Sequence, residues 1–309
     1  MSKTIFVFPG QGAQYVGMGK ALSEAFAPAK LLLEKADDTL GFSLSKVMFE
    51  GPEADLKMTS NTQPALFVSS MMVLDVLRSE GIGFDVVAGH SLGEYSAICA
   101  AGGFSFEDGL KLVRLRGSLM AKAGEDNPGS MAAVIGASDE KVQELCDSVK
   151  DVGLVVPANF NCPGQIVVSG EVKAVEKLVE ICAAQGVKAV SLAVSGAFHS
   201  PLMQSAQAGL AEAIEKTAFH DLQKPLSANV TASSVTDAKE IRELLVRQLV
   251  SPVRWSQSMA YAVRECGVTA GVEVGVGHVL SGLQRKIDRS VKFSAVESVE
   301  SVQALKGAL

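Results

Sequence analysis

Cysteine is scarce: Cys99, Cys146, Cys162, Cys182 and Cys266 are the only five in 309 residues, an odd number with no C-x-x-C pair. Neither a disulfide framework nor a thiolate metal site is expected, and the thiols read as small, reduced core residues. Positive charge is in deficit, 28 Lys plus Arg against 34 Asp plus Glu for a net charge of −6. That is the wrong sign for a surface that tracks phosphates, so nucleic acid is excluded as an expected partner. No run approaches the roughly 18 apolar residues that a membrane span needs. The opening apolar stretch, Ile5 to Phe8, is cut by Pro9 and Gly10 well short of a signal-peptide core. A cytoplasmic chain that meets no membrane is expected. The four histidines, His90, His199, His220 and His278, form no H-E-x-x-H pattern or Cys/His cluster, so no metal or other cofactor is expected. Repeats, low-complexity tracts and charge runs are missing as well.

What remains is an Ala/Val/Gly-rich chain, 48% apolar and 20% charged, with roughly two domains' worth of length. Short β-branched runs alternate with longer helical stretches, which is an α/β signature. Ile5–Phe8 reads as a strand, Thr62–Glu80 as a helix with Phe67, Met71, Leu74 and Leu77 at helical spacing, and Asp85–Ala88 as a buried strand. From about 130 to 193 the pattern runs strand Met131–Ile135, helix Ser138–Lys150, strand Leu154–Ala158, strand Gln165–Ser169, helix Val172–Gln185, strand Lys188–Val194. This β-α-β-β-α-β order predicts a smaller ferredoxin-like domain, residues 126–195. It would be inserted into a larger α/β-hydrolase-like domain with a parallel sheet core, built from residues 1–125 and 196–309. A ligand is expected in the cleft between them.

Two phosphate-binding motifs fail. Residues 10–15 (GQGAQY) follow a strand, but Tyr15 stands where a dinucleotide fingerprint needs its third glycine. Gly12 and Gly17 have P-loop spacing, but Met18 stands where the lysine belongs. A glycine-rich loop is left, either a flexible turn or a place where backbone N–H groups approach a ligand closely.

Gly89-His90-Ser91-Leu92-Gly93 survives as a G-x-S-x-G nucleophile elbow. A strand leads in over residues 84–88, and a helix leads out over 94–101 with the small residues Ser96, Ala97, Ala100 and Ala101. That context lifts a serine hydroxyl above the sheet and aims the positive end of the helix at it. A serine hydroxyl needs a base within hydrogen-bond reach. His90 adjoins the serine, where neighbouring side chains diverge, and suits the pocket wall better than proton transfer. His220 lies in a polar helix exit. His199 follows the last strand of the small unit, where the chain crosses back, and is favoured. His278, in the late position of an α/β-hydrolase histidine, is the rival; with Asp237 or Glu273 as its acid it would make the chain a serine esterase or thioesterase.

Arg116 falls in the middle of the apolar face that Leu112, Val113, Leu115, Leu119 and Met120 form on a helix over Phe106–Lys122. A buried guanidinium costs several kcal/mol unless it is paired. It predicts either an internal Asp or Glu, or a substrate carboxylate held bidentately.

Together these residues resemble the malonyl-CoA:acyl-carrier-protein transacylase family and the acyltransferase domains of fatty acid and polyketide synthases. The resemblance spans nearly the whole chain. It rests on residues 8–12 (FPGQG), 62–65 (TQPA), 89–94 (GHSLGE), 114–117 (RLRG), 161–165 (NCPGQ), 196–200 (GAFHS), 247–255 (RQLVSPVRW) and 273–275 (EVG). It implies that Ser91 is acylated, that His199 is the base and that the backbone N–H groups of Gln11 and Leu92 form the oxyanion hole. It further implies that Arg116 binds the malonate carboxylate and that the main-chain carbonyl of Gln248 orients the histidine in place of a triad acid. Phe198 and Leu92 match a malonyl-selecting pattern, and Gln63 and His90 are further candidates for the site. Val276 departs from the proline the family often carries. Malonyl-CoA and acyl carrier protein are the implied partners, with the coenzyme A thioester and phosphopantetheine as substrates rather than cofactors. The exposed-looking cations Arg285, Lys286, Arg289 and Lys292 could meet an acidic carrier, or simply solvate an element end. A silent scaffold module on the same fold is the reading from another class, and intact Ser91, His199 and Arg116 argue against it.

Overall fold

The computed structural model describes residues 3–308; Met1, Ser2 and Leu309, the outermost ends of the expected 1–125 and 196–309 segments, lie outside the described residues. The fold is mixed α/β, with two separate sheets. The first has six strands in the order β10-β9-β1-β2-β7-β8. They are β1 (Lys3–Phe8), β2 (Val86–Gly89), β7 (Leu226–Ser227), β8 (Ser234–Val235), β9 (Val268–Val274) and β10 (Lys292–Val296). All pairs are parallel except β7 with β8. Ile5, Phe6, Val7 and Phe8 are all buried, the continuous apolar run expected of a central parallel strand covered on both faces. The second sheet, β4-β5-β3-β6, is wholly antiparallel and uses β3 (Gly129–Ile135), β4 (Val155–Cys162), β5 (Gln165–Glu171) and β6 (Lys188–Ser191).

Period-two alternation divides the second sheet between two cores. Ala132, Val134, Ile166 and Val168 pack with the helices Asp139–Asp147 and Val172–Ala184, whereas Met131 and Val167 join the core of the larger sheet. β4 is also tied through the backbone to the segment that leads into the helix Trp255–Arg264. Phe160 N–H donates to the Val253 carbonyl at 2.9 Å, and Val253 N–H to the Ala158 carbonyl at 2.8 Å.

Several expected boundaries shift. The helix read from Thr62 starts at Thr59 and encloses Pro64. Proline cannot donate to the carbonyl four residues back; that acceptor, Ser60 O, instead receives Arg114 Nη1 at 2.5 Å. β6 ends at Ser191, three residues before the expected Val194, and β4 runs on to Cys162. The long helix Phe106–Asp126 is capped by Ser105, whose side chain accepts from Asp108 N–H. Its buried stripe holds Leu112, Val113, Arg116, Gly117 and Met120. Leu115, expected on that face, is 36% exposed, because the stripe turns around Gly117, where an added Cβ would lie 2.6 Å from the Thr59 carbonyl. All five cysteines are free. Among the described residues no helix is long and apolar enough to cross a membrane.

Candidate active site

β2 ends at Gly89 and the helix Gly93–Ala100 begins four residues later, so Ser91 stands at the tip of a tight strand-to-helix turn with φ 51°. Sterics dictate both flanking glycines. A Cβ at Gly89 would lie 1.9 Å from the Gly93 carbonyl, and one at Gly93 would lie 2.0 Å from the Phe8 carbonyl. Both obstacles are backbone. Gly93→Ala is therefore expected to destabilise the protein by about 3 kcal/mol or more, seen as a shifted denaturant midpoint; an unshifted midpoint would contradict this packing. Gly10 of the glycine-rich loop is equally constrained, since its Cβ would meet the His90 carbonyl at 2.5 Å. The loop therefore packs directly on the elbow.

Ser91 Oγ lies 2.7 Å from His199 Nε2. On the far side of the imidazole, Nδ1 donates to the main-chain carbonyls of Gln248 at 3.0 Å and Ser251 at 3.2 Å. Two carbonyls can only accept, so Nδ1 carries the hydrogen and Nε2 is left free to take one. Burial first, then the Arg116 charge, push His199 down to about 3, which keeps it neutral at pH 7. His199 itself has φ 59°; nucleophile and base are both held in the left-handed region that non-glycine residues avoid.

Arg116 is 1% exposed, yet among the described residues no carboxylate forms an ion pair with it. Its partners are neutral oxygens. Nη1 donates to Gln63 Oε1 at 2.9 Å, and Nη2 donates to Gln248 Oε1 at 3.0 Å and Ser91 Oγ at 3.2 Å. The Nε hydrogen has no acceptor. Among the described residues no internal acid bonds the guanidinium directly, although the buried Glu94 carboxyl lies near enough to act on it through charge, and the guanidinium faces a cavity of about 480 Å³ lined by Gln11, His90, Ser91, Leu92, Phe198 and His199 among others. Among the described residues the backbone N–H groups of Gln11 and Leu92 donate no hydrogen bond, although both residues line this cavity.

Other candidates are engaged elsewhere. His90 Nε2–H donates to Asn161 Oδ1 at 2.8 Å and its ring lies 5.6 Å from Trp255, so it walls the pocket and does not touch Ser91 Oγ. His220 is exposed. His278 sits at the start of the helix Val279–Ile287 with no bond to Ser91. Both of its proposed acids cap helices. Glu273 accepts from Leu280 N–H at 3.0 Å and Ser281 N–H at 2.8 Å, and Asp237 from Glu240 N–H at 2.8 Å. The structure brings Ser91 together with His199 and separates it from His278.

Three site residues were not assigned from sequence. Asn229 clamps the elbow, accepting Ser91 N–H at 2.8 Å and donating to the Gly89 carbonyl at 2.6 Å. No local pattern marks it. Ser251 supplies the second carbonyl to His199. Glu94, visible only as the last letter of the GHSLGE motif, is buried beneath the turn, and burial pushes its carboxyl up to about 7 against the opposing pull of Asn229 N–H, Gln248 and Arg116.

Known proteins resemble this chain over nearly its whole length. The family model described as "Acyl transferase domain" matches residues 5–306. The malonyl CoA-acyl carrier protein transacylase of Bacillus subtilis (strain 168) is 45% identical over 305 residues, 98% of this chain and 96% of that protein. Among solved structures, the acyl-carrier-protein-S-malonyltransferase from Bartonella henselae superimposes with a TM-score of 0.95 at 43% identity, covering 100% of this chain and 99% of that one. A malonyl-transacylase solved in complex with its type II PKS acyl-carrier protein gives 0.96 at 39% identity, with 100% of both chains covered.

Proposed function

Since the chain belongs to the acyl transferase domain family, we propose that it moves a malonyl group from malonyl-CoA to the phosphopantetheine thiol of an acyl carrier protein through an ester on Ser91. One oxygen with two neighbours carries the reading: Ser91 Oγ lies 2.7 Å from His199 Nε2 and 3.2 Å from Arg116 Nη2. A hydroxyl beside a neutral imidazole is deprotonated as it attacks. A guanidinium at the same oxygen selects an acyl group that carries its own carboxylate one methylene beyond the reacting carbonyl.

In the first half-reaction Ser91 Oγ attacks the thioester carbonyl while its proton passes to His199 Nε2. The oxyanion is received by the N–H groups of Gln11 and Leu92, the two donors left over at the cavity wall. Collapse breaks the C–S bond, the proton on His199 goes to the departing coenzyme A sulfur, and a malonyl-serine ester remains. The carrier's thiol then gives its proton to His199 and attacks the ester, and the steps run in reverse. The substrate carboxylate has a second effect. By neutralising Arg116 it removes the second-largest of the causes that hold His199 down, after burial, so the base strengthens when the right acyl group is bound. Gln63 steadies Arg116 and Phe198 closes the pocket beside the base. Both thioesters are substrates, and neither half-reaction draws on a resident cofactor.

The product is a malonyl thioester on a carrier, an extender unit for fatty acid or polyketide synthesis. Free thiols and a coenzyme A substrate favour the cytoplasm. The finer fold reading is an α/β-hydrolase-like unit, supported by the elbow after β2, with an inserted ferredoxin-like unit, supported by the β4-β5-β3-β6 order within residues 129–191. Initial rates with both substrates varied should give parallel lines; intersecting lines would exclude the acyl-enzyme. In the same assay His199→Ala should lower transfer by about 10³-fold or more, and His278→Ala should leave it near wild type. The opposite ranking would restore the hydrolase reading.

A further inference from the structure

The polar groups of the site converge on a side chain that no chemical step uses. Glu94 is 1% exposed, and among the described residues no cation forms an ion pair with it. Its Oε1 accepts Asn229 N–H at 2.7 Å and its Oε2 accepts Gln248 Nε2–H at 2.6 Å. Those two residues hold the rest. Asn229 grips the backbone on both sides of His90, through Ser91 N–H and the Gly89 carbonyl. Gln248 touches the nucleophile, the base and the cation at once. Its Nε2 donates to the Ser91 carbonyl at 2.9 Å, its main-chain carbonyl accepts from His199 Nδ1 at 3.0 Å, and its Oε1 accepts from Arg116 Nη2 at 3.0 Å.

A side-chain amide has one donating and one accepting end. With Glu94 ionised, its Oε2 and the Ser91 carbonyl are both acceptors on the same side of Gln248, so only its NH₂ can face them and its oxygen turns to Arg116. The acid therefore sets the amide's direction, and the amide sets where one arm of the guanidinium rests. We propose that Glu94 is a positioning residue for acyl selection, orienting Arg116 toward the substrate carboxylate through the Gln248 amide while it fixes the Ser91 turn through Asn229. The proposal rests on Ser91 as the acyl carrier and Arg116 as the carboxylate clamp.

Glu94→Gln keeps the volume and can still accept Asn229 N–H, but it sets an NH₂ against the NH₂ of Gln248. Gln248 must then turn over and present donors to Arg116, which loses its acceptor and its resting place. In burst acylation with malonyl-CoA and, separately, acetyl-CoA, the malonyl KM is expected to rise roughly tenfold or more, with a smaller change in kcat. Acylation from acetyl-CoA, which does not use Arg116, is expected to change little. A residue that merely propped the elbow would lower both donors' kcat by the same factor, and that result, or no change with either donor, overturns the proposal. If Glu94→Gln does not fold, Gln248→Met decides: it keeps the main-chain carbonyl on His199, removes the amide relay, and should shift the malonyl-to-acetyl ratio in the same direction, an unchanged ratio counting against the proposal. Wild-type protein in the same assay separates the two readings, because failure to acquire any malonyl adduct sinks the transfer function itself.

Discussion

Ser91→Ala is expected to remain folded, to acquire no acyl adduct from malonyl-CoA or acetyl-CoA, and to lose at least about 10⁴-fold in transfer rate. The fold survives because the contacts that hold the turn belong to its backbone. Asn229 binds Ser91 N–H, Gln248 binds the Ser91 carbonyl, and neither touches Oγ. Alanine bears the same left-handed φ of 51° at about the same steric cost as serine. What disappears is the atom 2.7 Å from His199 Nε2, and no other hydroxyl of the described residues bonds to that nitrogen. Intact mass after brief mixing should show one malonyl group on the wild type and none on the variant. An adduct persisting on Ser91→Ala would move the nucleophile elsewhere.

Arg116→Ala is expected to collapse the malonyl-to-acetyl ratio of kcat/KM by roughly a hundredfold or more, the loss of two charge-assisted hydrogen bonds to a carboxylate. The two donors should diverge in sign. Malonyl acylation falls because its carboxylate would be buried without a counter-charge. Acetyl acylation holds or rises, because the acetyl methyl no longer faces an unpaired guanidinium and because the Arg116 charge no longer holds His199 down. The cost in stability is moderate, since Gln63 Oε1 and Gln248 Oε1 lose a donor while the burial of an unpaired cation is relieved. Equal losses with both donors would reduce Arg116 to a structural role.

The readings that succeeded from sequence share a physical property: each depends on a short stretch of chain. The elbow is legible because strand, turn and helix follow within about a dozen residues and the two glycines are required by contacts inside or beside that turn. Arg116 stands out because helical periodicity assigns residues to a face, and a cation on an apolar face is anomalous wherever the helix packs. Even there the pattern misplaced Leu115, because which edge of a stripe is covered depends on the neighbouring helix, here approaching at Gly117. The antiparallel unit at residues 129–191 was readable because its strands pair with near neighbours in the chain.

Distance along the chain decides the rest. Position along the chain favoured His199 as the base but left His278 open; β-sheet order and the return of the chain after β6 put the first against Ser91 and leave the other at a helix start. Asn229, 138 residues from the serine whose N–H it binds, has no local signature at all. The Glu94 to Gln248 to Arg116 relay joins three segments, and its direction follows from which ends of an amide face acceptors. By itself, then, the sequence determined the local parts: a strained serine turn, a misplaced cation and the alternation that builds each sheet, because backbone sterics and periodicity act over a few residues. Only the tertiary structure decided the partners, because a hydrogen bond between groups a hundred residues apart depends on how the whole chain packs.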